Sequence, residues 1–324
     1  MARVMTRQGL LGKSFAQAAE GVSDATGCNV SKESVRLVTQ KWGDCVEKQR
    51  KDEVEAIFDT TIDYQPATTH CVGEQATVST DGGMIHVRGE GWKEVKLSVV
   101  SSVRPKKASE RSNGVGNRRY APYEPEPMIT NHSYQAGLWQ ADDAGQHLYR
   151  EALRRQLAKA KKTSAVADGA HWISRITGEN FPDMVQILDW FHLCEKLQFI
   201  ARAYYPNPDE RNSWVDKQLD FLWMGKTDPV IEAIDKFPLP DNDETLVSAL
   251  GYVKNQQAKM AYHQYRVAGY PIGSGCVESG INTVVHHRMK TQGRGWCRKN
   301  GQAMLAALSE LHSGTFSQTW ASVQ

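Results

Sequence analysis

A chain of 324 residues, 40% of them hydrophobic, holds enough apolar material for a sizeable core plus one or two accessory units, and a formal net charge of +2 names no partner. No apolar stretch approaches the ~18 residues of a membrane span, and Met1-Ala-Arg-Val-Met-Thr-Arg lacks an apolar run after its charges, so a cytoplasmic protein without a secretory signal is expected. The six cysteines form no C-x-x-C pair, which argues against a disulfide framework and a four-cysteine zinc site.

In chain order, residues 1–62 read as a helical region. A small-residue helix over 14–25 breaks at Thr26-Gly-Cys-Asn, and a second begins from Ser31 as N-cap and buries Val35, Val38, Trp42 and Val46. The pair matches a helix-turn-helix, whose second helix would offer Lys32, Ser34 and Arg36 to the major groove; a packing or dimerisation arm is the plainer alternative. From residue 72 the period becomes that of strands, over 75–81, 84–88 and 94–103, joined by Gly-rich turns as an antiparallel meander. Residues 104–137 read as an extended loop and 143–162 as a basic amphipathic helix. A fourth strand is expected over 163–168 and a fifth over 184–189, then helices through an acidic, proline-punctuated insertion over 201–268. The first part of the core then spans 72–200, and 269–324 completes it.

Charge is unevenly distributed. Residues 102–119 hold six bases against one acid, and 286–299 hold five bases (Arg288, Lys290, Arg294, Arg298, Lys299) with no acid. Residues 205–245 hold ten acids against four bases. Basic segments segregated from an acidic one suit a phosphate-tracking face, although each could be an ordinary solvated surface.

Three acids stand where chemistry can be built. Asp81 and Asp168 each end an apolar run and precede glycine, while Glu278 opens a late helix after Gly273-Ser-Gly275. Carboxylates at a sheet rim can share hard divalent cations with water, and oxygen-only ligands favour Mg²⁺ or Mn²⁺ over zinc. Two such ions ~3.5–4 Å apart would serve the attacking and leaving oxygens of a phosphodiester. Taken singly, Asp81-Gly82 could be a hairpin turn and Glu278 a favourable first-turn charge. Asp189 and His192 form a D-x-x-H pair that could cap a helix, support the metal ligands or position a phosphate; Ser274 could belong to a backbone phosphate nest. Trp296, between Arg294 and Arg298, could stack on a base.

The element order, three antiparallel strands, a helix, two further strands and terminal helices, is that of a mixed α/β, ribonuclease-H-like five-stranded sheet. Ser79-Thr-Asp-Gly-Gly, Ala167-Asp-Gly-Ala-His-Trp-Ile, Leu188-Asp-Trp-Phe-His, Pro271-Ile-Gly-Ser-Gly-Cys-Val-Glu-Ser, His287-Arg-Met-Lys and Gly293-Arg-Gly-Trp together resemble bacterial insertion-sequence transposases of the Asp-Asp-Glu type, close to the Mutator-like branch. The resemblance covers most of residues 14–312. It implies that Asp81, Asp168 and Glu278 are catalytic and hold two Mg²⁺ (or Mn²⁺) ions, and that Asp189 to His192 is a variant of the C-x-x-H signature. It also implies double-stranded DNA partners (element terminal repeats and target DNA) and a homo-oligomer on DNA. Members often carry a longer region ahead of the helix-turn-helix, so a shortened version is expected. A ribonuclease-H-like nuclease without strand transfer, a non-catalytic DNA-binding remnant and a two-carboxylate glycosidase are the rival readings.

Overall fold

The computed structural model describes residues 1–323 apart from 113, 116, 117, 241 and 292. Two compact units divide the chain: Met1–Ser102, Asn131–Lys162 and Gly275–Gln324 form the first, and Val103–Thr130 with Thr163–Ser274 the second.

Three helices open the first unit: α1 (Ala2–Leu11), α2 (Phe15–Thr26) and α3 (Lys32–Phe58). The expected N-cap at Ser31 is present, and Ser14, read as the first residue of the earlier helix, is a cap as well. Ser14 accepts from the Gln17 amide and Ser31 from the Ser34 amide, and Gly27 closes α2 in the left-handed conformation. α1 lies in the region read as helical, though no separate helix was drawn before residue 14; it is held by burial of Met5 and Leu10. α3 is long because one face of its middle and end, from Thr39 to Val54, is buried by the rest of the unit.

The strands depart from expectation. β1 (Gln75–Val87) is one continuous strand where two and a turn were read, and β2 (Gly91–Pro105) follows it. Asp-Gly-Gly makes no turn here, because both glycines serve close approach instead: a Cβ at Gly82 would strike the Glu94 carboxylate, and one at Gly83 would meet Ile281 at 3.0 Å. β3 (Pro127–Gly137) occupies the expected loop; its last residues, Ser133 to Gly137, are all buried, and polar Ser133 and Gln135 among them hid the strand pattern. α4 (Ala141–Arg154) stops well short of residue 162, and Gln156 turns the chain with φ 53° toward β4 (Lys162–Ala167). After α5 (His171–Asn180) comes β5 (Val185–Leu188), so both late strands fall where expected. The five strands form a mixed sheet in the order β3-β2-β1-β4-β5, flanked by helices, with β4 parallel to β5 in the register Ala167 to Leu188.

In the second unit, α6 (Trp190–Tyr204), α7 (Pro208–Trp223), α8 (Asp228–Asp235), α9 (Glu244–Asn255) and α10 (Tyr262–Val267) surround an apolar core that includes Val166, Leu188, Leu197, Leu222, Val253 and Tyr262. The first unit is completed by α11 (Gly275–Gly280), a π-helical stretch Ile281–His286, α12 (His287–Met289), α13 (Arg298–His312) and α14 (Phe316–Ser322). No helix among the described residues is long and apolar enough to cross a membrane.

α13 is the spine of the first unit: Ala303 through Glu310 are all buried, and α3 crosses it with Gly43 against the Ala303 carbonyl. Gly43→Ala is therefore expected to destabilise by about 1–3 kcal/mol, since the clash is with backbone that cannot rotate away. Urea unfolding would read it, and an unchanged midpoint would mean the helices part without cost. Beside this crossing a charged network is buried. Arg50 donates to Glu310 at 2.9 Å, Arg154 bridges Glu310 at 3.4 Å and Glu151 at 3.0 Å, and Arg150 pairs with Glu53 at 2.5 Å. Thr319 donates a further hydrogen bond to Glu310 at 2.8 Å.

Candidate active site

In the first unit, β1, which carries Asp81, and α11, which carries Glu278, pack against each other. Alternation puts Ser79, Asp81 and Gly83 on one face of the strand. The Cys276 thiol lies 3.8 Å from the Ser79 hydroxyl, and Gly83 faces Ile281 and His286. Asp81 therefore lies between two points where the α11 segment touches β1, and Glu278 lies between the same two points along the helix. Asp81 is half-buried, with its Oδ1 accepting from the Gly82 amide at 2.6 Å, and Glu278 is exposed. Asp81 thus sits inside a strand, not at a strand end as its position before glycine had suggested.

In the second unit, Asp168 and Asp189 follow the paired ends of β4 and β5, and the Asp189 amide donates to Ala167 O at 2.8 Å. They share the carboxyl edge of parallel strands, a usual location for ligands. The Asp168 turn is fixed. Its Oδ1 accepts from the Ala170 amide at 2.9 Å, its carbonyl accepts from the Tyr252 hydroxyl, and Gln256 donates to the Gly169 carbonyl at 2.9 Å. Gly169 has φ +82°, and a Cβ there would meet Leu188 at 2.8 Å, so this glycine is required by both conformation and space. Tyr252 and Gln256 were missed from sequence, since nothing local marks a hydroxyl on α9 and an amide at its C-cap as supports for a distant turn.

Asp189 is fully buried, caps α6 through the His192 amide at 2.7 Å, and takes a second hydrogen bond from His192 Nδ1 at 3.1 Å. Its other oxygen accepts from the Ser274 amide, so that amide holds a carboxylate already in place rather than the phosphate of the nest reading. Burial works against the Asp189 charge, yet these hydrogen bonds keep its carboxyl below the ordinary value. The Asp189 hydrogen bond raises His192 to about 9, with Asp168 and Glu195 adding to it against burial. The D-x-x-H pair is thus a buried carboxylate holding an imidazolium next to the Asp168 field. A histidine raised from 6.5 contributes stability that is full below pH 6.5 and lost as pH climbs through about 9. In Asp189→Asn the NMR titration midpoint of His192 should fall from about 9 toward 6.5; a midpoint that stays put would exclude the ion pair as its cause.

Several residues expected to face DNA are engaged internally. Arg36 pairs with Glu33 and Gln40, and the Ser34 hydroxyl lies 2.9 Å from that of Ser31, while Lys32 is exposed. Arg298 is ion-paired with Glu90 at 2.6 Å; Lys290, Arg294 and Lys299 are exposed. Arg288 is buried, donating to the carbonyls of Gly9 and Lys13, which corrects its expected place on an open surface: the apolar neighbours Val285 and Met289 pull its turn inward. Trp296 is half-buried and donates from Nε1 to Met289 O at 3.0 Å. In the other basic segment, Arg104 pairs with Glu110, Lys106 with Glu126 and Arg118 with Asp220, and Arg111 donates to backbone carbonyls, so most of that charge is neutralised or tied down within its own unit.

Among the described residues no three His, Cys, Asp or Glu side chains, as they stand, are grouped closely enough to hold a metal ion. Asp81 and Glu278 supply only oxygens, the donor chemistry of Mg²⁺ or Mn²⁺. No protein-family model matches this chain, and no curated protein matches its sequence.

Proposed function

We propose that this protein is a DNA transposase of the Asp-Asp-Glu type, with a ribonuclease-H-like core, that cleaves element ends and joins them to target DNA. The observation that carries the reading is the packing of α11 and the stretch after it against β1, which joins the segments that carry Glu278 and Asp81 although nearly the whole core separates them in sequence. The central place of the first strand in the sheet supports it, as does the acid at the exit of β4. Asp81, Asp168 and Glu278 would be the ligands of two Mg²⁺ or Mn²⁺ ions, which when bound activate the attacking oxygen and neutralise the leaving one. The protein's own part is to fix those carboxylates: Asp81 by its strand and the Gly82 amide, and Asp168 by its rigid turn. Asp189 anchors the turn that leads into α11 through Ser274, and His192 places a positive charge near Asp168 where a phosphate would be drawn. The DNA is double-stranded, at element ends and target, and two ends processed together imply a homo-oligomer.

The test incubates the protein with candidate end DNA and supercoiled target in Mg²⁺, Mn²⁺ or EDTA. Metal-dependent cleavage followed by strand joining is expected. Cleavage without joining would favour a plain nuclease, and DNA binding without either would favour a remnant.

A further inference from the structure

Arg288 carries a buried charge that no acid answers. The residue is 3% exposed, and its Nε and Nη1 donate to Gly9 O at 3.2 Å and Lys13 O at 3.3 Å. Its guanidinium lies 4.4 Å over the Phe15 ring and 5.4 Å from that of Trp296. Nη2 has no hydrogen-bond partner among the described residues. A buried cation without a counter-charge costs several kcal/mol, so a fold that keeps one has a use for it. Burial lowers this guanidinium to about 10, and Arg294 adds to the depression.

The surroundings are suited to an anion. Arg288 lines a cavity of about 390 Å³ whose wall also carries Arg36, Arg88 and Arg294 and no acidic side chain. Glu33 answers Arg36 from outside the wall, and Arg88 donates to Gly295 O at 2.7 Å, which fixes it there. α13 begins at the same wall: its N-cap Cys297 lines the cavity and makes no side-chain cap, so the first-turn amides of a 15-residue helix add their positive end. The wall is itself held in register. Trp296 N donates to His86 O and Arg88 N to Trp296 O, both at 2.9 Å, attaching Gly295 to Cys297 to the end of β1.

We propose that this cavity is a phosphate-binding pocket that holds one backbone phosphate of a nucleic-acid strand. Guanidinium forks match phosphate oxygens in pairs, and the volume lies in the range of small-ligand sites. The choice of a strand rests on the transposase reading; capture of phosphate does not.

The 324-residue chain is titrated in EDTA with a 5′-labelled single-stranded 12-mer, with the matching duplex and with inorganic phosphate, across a salt series. Strand binding is expected, weakened about 10-fold in Arg294→Ala, with the slope of log affinity against log salt reduced by about one. Arg88→Ala should behave alike, and both side chains are exposed, so the result stands even if Arg288→Met fails to fold. Lys226→Ala, exposed and in the second unit, is the control for loss of one charge. If Arg294→Ala and Arg88→Ala bind as the control does, the pocket is refuted. Binding of inorganic phosphate without either DNA would overturn the strand assignment. Wild-type protein that binds through the pocket in EDTA yet neither cleaves nor joins candidate end DNA in Mg²⁺ would count against the transposase reading alone.

Discussion

Asp81→Asn and Glu278→Gln are each expected to lower metal-dependent DNA cleavage by on the order of 10³-fold or more, with no comparable loss of DNA binding. Each replaces a charged oxygen ligand by a neutral one of the same shape, so the protein keeps its contacts and loses charge at the reacting phosphate. Glu278 is exposed, and Asp81 is bonded through Oδ1 to an adjacent amide that the asparagine oxygen can still satisfy. Thermal midpoints should therefore stay within a few degrees of wild type, which separates a chemical defect from a folding one. Asp168→Asn should match them, since its turn also depends on an oxygen that asparagine retains. Rates on end DNA in Mg²⁺, with circular dichroism melts of the same samples, decide the matter. Cleavage that persists in both Asp81→Asn and Glu278→Gln would remove these residues from the site.

The largest effect on stability should come from Glu310→Gln. Its carboxylate stands between Arg50 and Arg154 in the buried seam of α3, α4 and α13, and accepts from Thr315 and Thr319 at the start of α14. Removing one member of a buried pair leaves an uncompensated charge, so a loss of about 3–5 kcal/mol is expected. For a chain of this size that corresponds to a fall in Tm of roughly 5 °C. The pH dependence has a definite sign. Burial opposes the Glu310 charge, but Arg154, Arg50 and Arg150 outweigh it and hold the carboxyl far below its ordinary value of 4.5. A depressed acid contributes stability that is full above pH 4.5 and lost as pH falls toward the folded value. Wild type should therefore lose stability steeply below pH 4.5, whereas Glu310→Gln should start lower and fall less. Calorimetry at pH 7 and across the acid range checks both points; equal acid limbs in the two proteins would show that the network does not carry the linkage.

What could be read from sequence follows from range. Ser14, Ser31 and Gly27 act on amides and carbonyls within four residues, so both early helix boundaries were legible. β4 and β5 were legible because buried parallel strands are short apolar runs, and their exits put Asp168 and Asp189 at one edge. Where a local rule competed with packing, packing won. Asp81-Gly82-Gly83 has the chemistry of a turn, but the small residues there admit Glu94 and Ile281, and the strand runs through. β3 was hidden because its buried positions hold Ser133 and Gln135, which are satisfied by Arg155 and Glu151 far along the chain.

The same division applies to function. Sequence by itself determined which acids could act, because carboxylate chemistry and its glycine-bounded settings are properties of the residues and their near neighbours. Only the tertiary structure decided which groups meet: Glu278 against the Asp81 strand, Tyr252 under Asp168, and Arg288 turned from the surface into a cavity without an acid. Those pairings depend on how apolar faces close over one another, an energy summed over many distant contacts that no local stretch of residues contains.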